Sequence, residues 1–288
     1  MTRRAYNHLI KPVSKQVTST ILGRLFIGVT LLLSVSGLFA DESLVAQETY
    51  KVAIIIDDLG NNFHQGQTLI DLPYQLTYAF LPKRPYSKRL ANLAASYGKE
   101  VMVHLPMQSA GRSELGHGAL TLELTQTEFQ KSVQISINSV PHARGVNNHM
   151  GSLLTQHPGH MSWLMEVLSN RNDNLYFVDS KTTALTVASQ IAKEHYVPNI
   201  SRDVFIDSSR NEEDIRRQLN YLKKIAKRKG YAVAIGHPYP STIKLLSGYL
   251  PTLLDHNIEV VPVTTLIKMH SQKQQWPKLT SHYPTQIN

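Results

Sequence analysis

Several apolar runs in this chain stop at an acid or an imidazole. Lys51–Ile56 (KVAIII) runs straight into Asp57-Asp58-Leu59-Gly60, and Glu100–His104 (EVMVH) ends on a histidine followed by Leu-Pro-Met. A weaker run, Gly145–Asn148, opens the polar stretch Asn147-Asn148-His149-Met150-Gly151-Ser152. Leu175–Val178 is followed by Asp179-Ser180, Arg202-Asp203 and Asp207 bracket Val204–Ile206, and Tyr231–Ile235 ends in Gly236-His237-Pro238. One carboxylate and two imidazoles from separate strand ends make a three-ligand metal site with an open position. Such a site suits hydrolysis, because a metal lowers the pKa of water to about 7. A second carboxylate alongside can act as general base, and a further histidine as general acid.

Each of these residues also has a plainer use. Asp57 and Asp58 can cap a following helix. His104 can be a satisfied core histidine, His149 an ordinary loop residue and His237 a turn residue before proline. Their recurrence at the ends of runs too short and too apolar to be anything but buried strands points to chemistry. The other histidines, among them His64, His117, His142, His157, His160, His195 and His256, lack a strand-end setting and read as surface or helix residues.

The elements that must position these groups alternate along the chain. Leu76–Leu81 and Ile258–Val263 complete the strand candidates. Between the strands lie helical patterns at Lys88–Tyr97, Thr127–Ser139, Met161–Leu168, Thr186–His195 and Glu212–Lys229. Such alternation argues for a parallel α/β sheet or barrel, where ligands bind beyond the carboxyl ends of the strands. The helix Glu212–Lys229 has an apolar stripe through Ile215, Leu219 and Leu222. Ser209 with Glu212 reads as its capping box and Gly230 as its stop.

Composition removes several function classes. The 288 residues contain no cysteine, which excludes a disulfide scaffold, a thiolate zinc finger and a thiol nucleophile. Hydrophobic residues make up 42% and charged ones 18%, enough for a sizeable core. The net charge of +9 is uneven: residues 1–40 hold Arg3, Arg4, Lys11, Lys15 and Arg24 and no acid, leaving 25 basic against 21 acidic residues elsewhere. That near balance argues against nucleic acid as a partner. Residues 1–40 have the order of an export signal, a basic flank and then the uncharged Leu25–Ala40, followed at once by Asp41-Glu42. Sixteen residues fall short of the roughly 20 that span a bilayer, which favours a cleaved signal peptide over an N-terminal membrane anchor. Either way residues 41–288 are expected in the periplasm or beyond, touching membrane only through an uncleaved leader. Residues 41–49 read as a linker, 50–268 as the folded domain and 269–288 as a polar, proline-broken flexible tail.

The strings IIIDDLG (54–60), VHLPM (103–107), GVNNHMGS (145–152), FVDSKTT (177–183), RDVFID (202–207) and AIGHPYP (234–240) resemble, in order and spacing, the divergent (YibQ-type) polysaccharide deacetylase family. The family is similar in turn to the NodB-type deacetylases. The resemblance implies an α/β fold, a distorted (β/α) barrel. It implies that Asp57 and Asp58 match the family's acid pair, Asp57 as catalytic base and Asp58 as metal ligand, that His104 is a second ligand and that His237 is the catalytic acid. The chain departs from the NodB pattern where His104 is followed by Leu-Pro-Met-Gln108 and not by a second histidine three residues on. His149 is the substitute ligand. Asn148, Asp179, Arg202 and Asp203 are the residues assigned to substrate. The implied cofactor is a divalent metal, zinc by its nitrogen and oxygen donors. The implied activity is removal of acyl groups from an envelope polysaccharide or peptidoglycan-type glycan. The alternative is a catalytically inactive metal- and glycan-binding protein of envelope assembly.

Overall fold

The computed structural model describes residues 49–111, 115, 116 and 118–273. The leader of residues 1–40, most of the 41–49 linker and His117 lie outside them. Among the described residues the strands are β1 (Tyr50–Leu59), β2 (Thr77–Phe80), β3 (Glu100–Met107), β4 (Ala143–Met150), β5 (Tyr176–Asp179), β6 (Asn199–Ser201), β7 (Val204–Phe205), β8 (Tyr231–Gly236) and β9 (Ile258–Val260). The helices are α1 (Phe63–Ile70), α2 (Ser87–Ser96), α3 (Gln126–Ser139), α4 (Pro158–Ser169), α5 (Ala188–Glu194), α6 (Glu212–Lys229), α7 (Pro240–Tyr249) and α8 (Val263–Lys273).

All strand pairings are parallel, in the order β6-β5-β4-β3-β2-β1-β8-β7. One edge of β1 is occupied by β8 along Lys51–Ile56. Its other edge is therefore shared, β9 pairing at Tyr50–Val52 and β2 from Ile55 onward. The sheet curls until its two ends are joined by one stretch of chain. Arg202 N donates to Asp179 O of β5, and the next residue, Asp203, donates to Val233 O of β8. The result is a curled half-barrel with helices along its outside.

Strand alternation sorts the core into two layers. Val52, Ile54 and Ile56 of β1, and Val101, Val103 and Leu105 of β3, face the helices. Ala53, Ile55, Met102, Tyr176, Val178, Val233 and Ile235 face the barrel interior, where Val263, Leu266 and Ile267 of α8 pack among them. The interior is thus filled with side chains up to the level where the polar rows begin.

Several local readings change. The expected strand Ile258–Val263 stops at Val260, and Val263 opens a helix. The cause is tertiary: Val263 N donates to Thr77 Oγ1, and Thr264 N donates to the buried carboxylate of Glu100, so strand residues from elsewhere cap α8. Helix α8 thus runs past residue 268, where the tail was expected to begin, and residues 274–288 lie outside the described residues. The cap of α6 is Asn211, whose side chain accepts from Glu213 N and Asp214 N, and not Ser209. Gly230 closes the same helix in the left-handed conformation, as expected. Helices α1 and α7 and strand β6 have no counterpart in the periodicity. Gly66 interrupts the apolar pattern of α1 because the helix needs the space: a Cβ there would lie 2.6 Å from Leu90 Cδ1 of α2.

Candidate metal centre

The strands run further than their apolar stretches, and this carries the chemistry into the sheet. Asp57 continues the inward row of Ala53 and Ile55 on β1, His104 that of Met102 on β3, and Asn147 and His149 stand two apart on β4. Alternation alone would turn Asp58 to the opposite face. It does not, because the β1–β2 register shifts between Ile56 and Leu59 and Asp58 adopts φ 58°, the left-handed region that aspartate tolerates better than most residues. This irregularity lets two neighbouring carboxylates serve one site. Two further rim residues, Met150 (φ 55°) and Lys181 (φ 48°), end β4 and follow β5 in the same conformation. Such strain tends to gather at functional sites.

Asp58, His104 and His149 converge. Asp58 Oδ1 lies 2.9 Å from His149 Nδ1 and 3.2 Å from His104 Nε2, and the two nitrogens are 3.0 Å apart. Tetrahedral ligation at 2.0–2.1 Å sets donor atoms about 3.3 Å from one another. The triangle is close to that size before any cation is considered. Asp58 Oδ1 is enclosed yet has no hydrogen bond of good geometry, the condition of an atom suited to a cation. The residues present therefore fit a divalent ion.

Asn147 organises both ligand and base. Its Nδ2 donates to both oxygens of Asp57, at 2.8 and 3.0 Å, so its Oδ1 is the atom that faces His104 Nδ1 at 2.8 Å. The network therefore assigns the Nδ1 proton to His104 and leaves Nε2 turned to the cluster, the second-layer orientation typical of metal-binding histidines. Burial opposes charge on His104, but the carboxylates of Asp57 and Asp58 outweigh it and push the pKa up to about 9. Burial likewise opposes charge on Asp58, and here the two rings prevail and hold its carboxyl well below the usual range. Asp57, 2% exposed, behaves differently. Burial raises its pKa, and His104, His237 and Asn147 offset only part of that.

His237 enters from the end of β8. Its Nε2 lies 3.8 Å from Asp58 Oδ2. Its Nδ1 is 2.8 Å from Asp207 Oδ1, while Asp207 Oδ2 accepts from the His237 N–H and from Thr242 Oγ1, both at 2.7 Å. The ring is sandwiched between Phe205 and Tyr239, with centroids 5.4 and 5.3 Å away. Burial works against its protonation, yet Asp207 overcomes this and raises its pKa. The acid candidate is thus fixed in orientation with one nitrogen turned to the cluster.

The residues assigned to substrate are placed differently from one another. Asn148 braces the turn, donating to Met150 O and accepting from Ser180 N. Asp179 points off the inward row and accepts from Lys181 N and Thr186 Oγ1. Arg202 holds Ser180 O and Lys181 O across the barrel junction, its guanidinium 4.7 Å over Phe205. Asp203 binds Lys229 Nζ and Val233 N. Sequence reasoning did not single out Asn147, although period-two counting back from His149 would have put it, and not Asn148, in the inward row. Asp207, which in the sequence only brackets a short apolar run, is the residue that orients His237.

Parallel strands curled into a β/α half-barrel, with a metal-capable Asp-His-His cluster where they end, define a protein of the polysaccharide deacetylase type in its fold. The chain belongs to the divergent polysaccharide deacetylase family, whose model matches residues 54–267. It is 37% identical over 221 residues to the uncharacterized protein YibQ of Escherichia coli K12, a match covering 77% of this chain and 66% of YibQ. The chain therefore spans just under two thirds of that relative. It is 34% identical over 233 residues to an uncharacterized protein of Haemophilus influenzae, across 77% of this chain and 82% of the relative. Among solved structures, the uncharacterized protein ATU2773 of Agrobacterium tumefaciens C58 matches with a TM-score of 0.72 at 24% identity, over 77% of this chain and 90% of that one. That likeness bears on the fold alone.

Proposed function

We propose that the protein is a metal-dependent hydrolase that removes acyl groups, acetyl foremost, from an amino-sugar polysaccharide of the cell envelope. One observation carries the reading: the Asp58, His104 and His149 donors meet within 3.2 Å, with a second carboxylate and a third imidazole beside them. Membership of the divergent polysaccharide deacetylase family supports the substrate class. A divalent ion held there supplies Lewis-acid polarisation of a carbonyl oxygen and makes a neighbouring water more acidic. Asp57 accepts the proton of the attacking water; its raised pKa makes it a stronger base than a free aspartate, and Asn147 keeps its oxygens aimed. His237, protonated and held by Asp207, gives its Nε2 proton to the departing sugar amine. The Phe205 and Tyr239 rings keep the imidazole from turning away.

The burial of Asp57 favours a second reading, in which the metal site holds a glycan without turnover. Zinc-loaded protein assayed on acetylated chitooligosaccharides and peptidoglycan fragments separates the two. Acetate release is expected, with Asp57→Asn and His237→Ala each losing roughly 10²–10⁴-fold in turnover and His237→Ala keeping its zinc. Glycan binding without any acetate release selects the second reading.

A further inference from the structure

Below the Arg202–Asp203 crossing the half-barrel has a seam. β6 pairs with β5 on one side only, and β7 covers only Ala234 and Ile235 of β8. Between these strands lies a cavity of about 250 Å³. Its wall carries Lys181, Lys193, Arg202 and Lys229; among the described residues lining it, Asp203 is the sole carboxylate. Asp203 is already committed to Lys229 Nζ and Val233 N. The ammonium groups of Lys181 and Lys193 make no ion pair among the described residues. On the same wall the Ser189 and Ser201 hydroxyls meet at 2.8 Å. Only one can donate to the other, so the second keeps its hydrogen for a further acceptor. Because Arg202 N faces β5, backbone alternation turns the Ser201 N–H away from β5, into the gap.

Surplus cations, a spare hydroxyl donor and an open strand edge select an anion rich in acceptors. A carboxylate brings one charge and two oxygens, whereas a phosphate ester brings up to two charges and three oxygens. The volume decides the rest. It falls below the roughly 300–1,000 Å³ of drug-sized sites, so a head group fits and an oligosaccharide does not. We propose that the β6–β8 seam binds a phosphate ester, either a small soluble one or the head group of an anionic lipid. Asp58, His104 and His149 do not line this cavity, and the inference does not rest on the hydrolytic reading.

The test is calorimetric titration of the metal-free full chain at low salt with inorganic phosphate and glycerol 3-phosphate. It is joined by co-sedimentation with phosphatidylglycerol and phosphatidylcholine vesicles. Saturable binding is expected. Lys193→Glu and Lys181→Asn should each weaken it at least about ten-fold, the usual scale for one charge-assisted contact. Both side chains are exposed, and Asn suits the left-handed backbone at 181, so thermal melts should match the parent. Binding should persist in Asp58→Asn, which reports any oxyanion held at the metal cluster. Pelleting with phosphatidylglycerol that Lys193→Glu abolishes assigns the lipid head group, and glycerol 3-phosphate binding without pelleting assigns a soluble ester. Absence of saturable binding, binding unchanged in Lys193→Glu, or loss only in Asp58→Asn overturns the proposal.

Discussion

Asn147 ties the two halves of the site together. Its amide orients the base, and its carbonyl fixes the tautomer of a metal ligand. Asn147→Leu, close in volume but without either hydrogen bond, should lower zinc affinity by roughly 10–100-fold, the usual cost of losing such a second-layer partner. Competition with a metallochromic indicator measures it, and affinity equal to the parent would show that His104 needs no such partner. The electrostatics of His104 give a pH dependence of definite sign. Its pKa in the metal-free fold is about 9 against an ordinary 6.5. A raised imidazole pKa contributes stability that is fully present below 6.5 and is lost as pH rises through about 9. Zinc needs the neutral ring, so protons compete with it, and zinc affinity should climb with pH across the same window. Titration at pH 7 in buffers of different ionisation enthalpy should register a proton released from His104 for each ion bound. No proton release there would contradict the raised pKa.

At the scale of elements, β4, β5 and α8 depend on one another. Glu100 is 8% exposed and accepts from Thr77 Oγ1, Tyr176 Oη and Thr264 N, so a carboxylate at the foot of β3 fastens β2, β5 and the first turn of α8. An anion at a helix N-terminus is also favoured by the helix dipole. Glu100→Ala leaves these donors without their acceptor, and a loss on the order of 3 kcal/mol is expected in denaturant melts, with Glu100→Gln losing less. The pinned Tyr176 ring explains the glycine opening the GVNNHMGS segment. A Cβ on Gly145 would come within 2.3 Å of that ring, which cannot swing aside while its hydroxyl is held. Gly145→Ala should therefore destabilise by about 1–3 kcal/mol through overpacking. An unchanged melting temperature would mean that the ring moves. Neither dependence is visible in a hydrophobic pattern, because each joins residues distant in the chain.

At the scale of the whole molecule, we expect the leader to send the half-barrel across the inner membrane. Among the described residues no helix is long and apolar enough to cross a membrane. An alkaline phosphatase reporter fused after residue 60 should be active, and one that works only in the cytoplasm, such as a fluorescent protein, should be dark. The reverse pattern would remove the envelope from the proposed function. Period and composition alone determined the alternation of buried strands and helices, since burial on both faces demands continuous apolar runs and helices an apolar stripe. They also determined that acids and imidazoles collect at the strand ends, because chain order and parallel pairing send every strand's carboxyl end to one rim. Tertiary structure decided which of those groups meet. Asp58 joins Asp57 only through a register shift and a left-handed residue, which no periodicity encodes. Asn147 and not Asn148 faces inward because β4 extends through Met150 and sets the phase of the alternation. Asp179 turns outward by the same rule on β5. Helix α8 replaces the end of an apparent strand because Thr77 and Glu100, from two other strands, cap it. Local preference sets what a segment can become, and contacts between segments far apart in the chain select which possibility is realised.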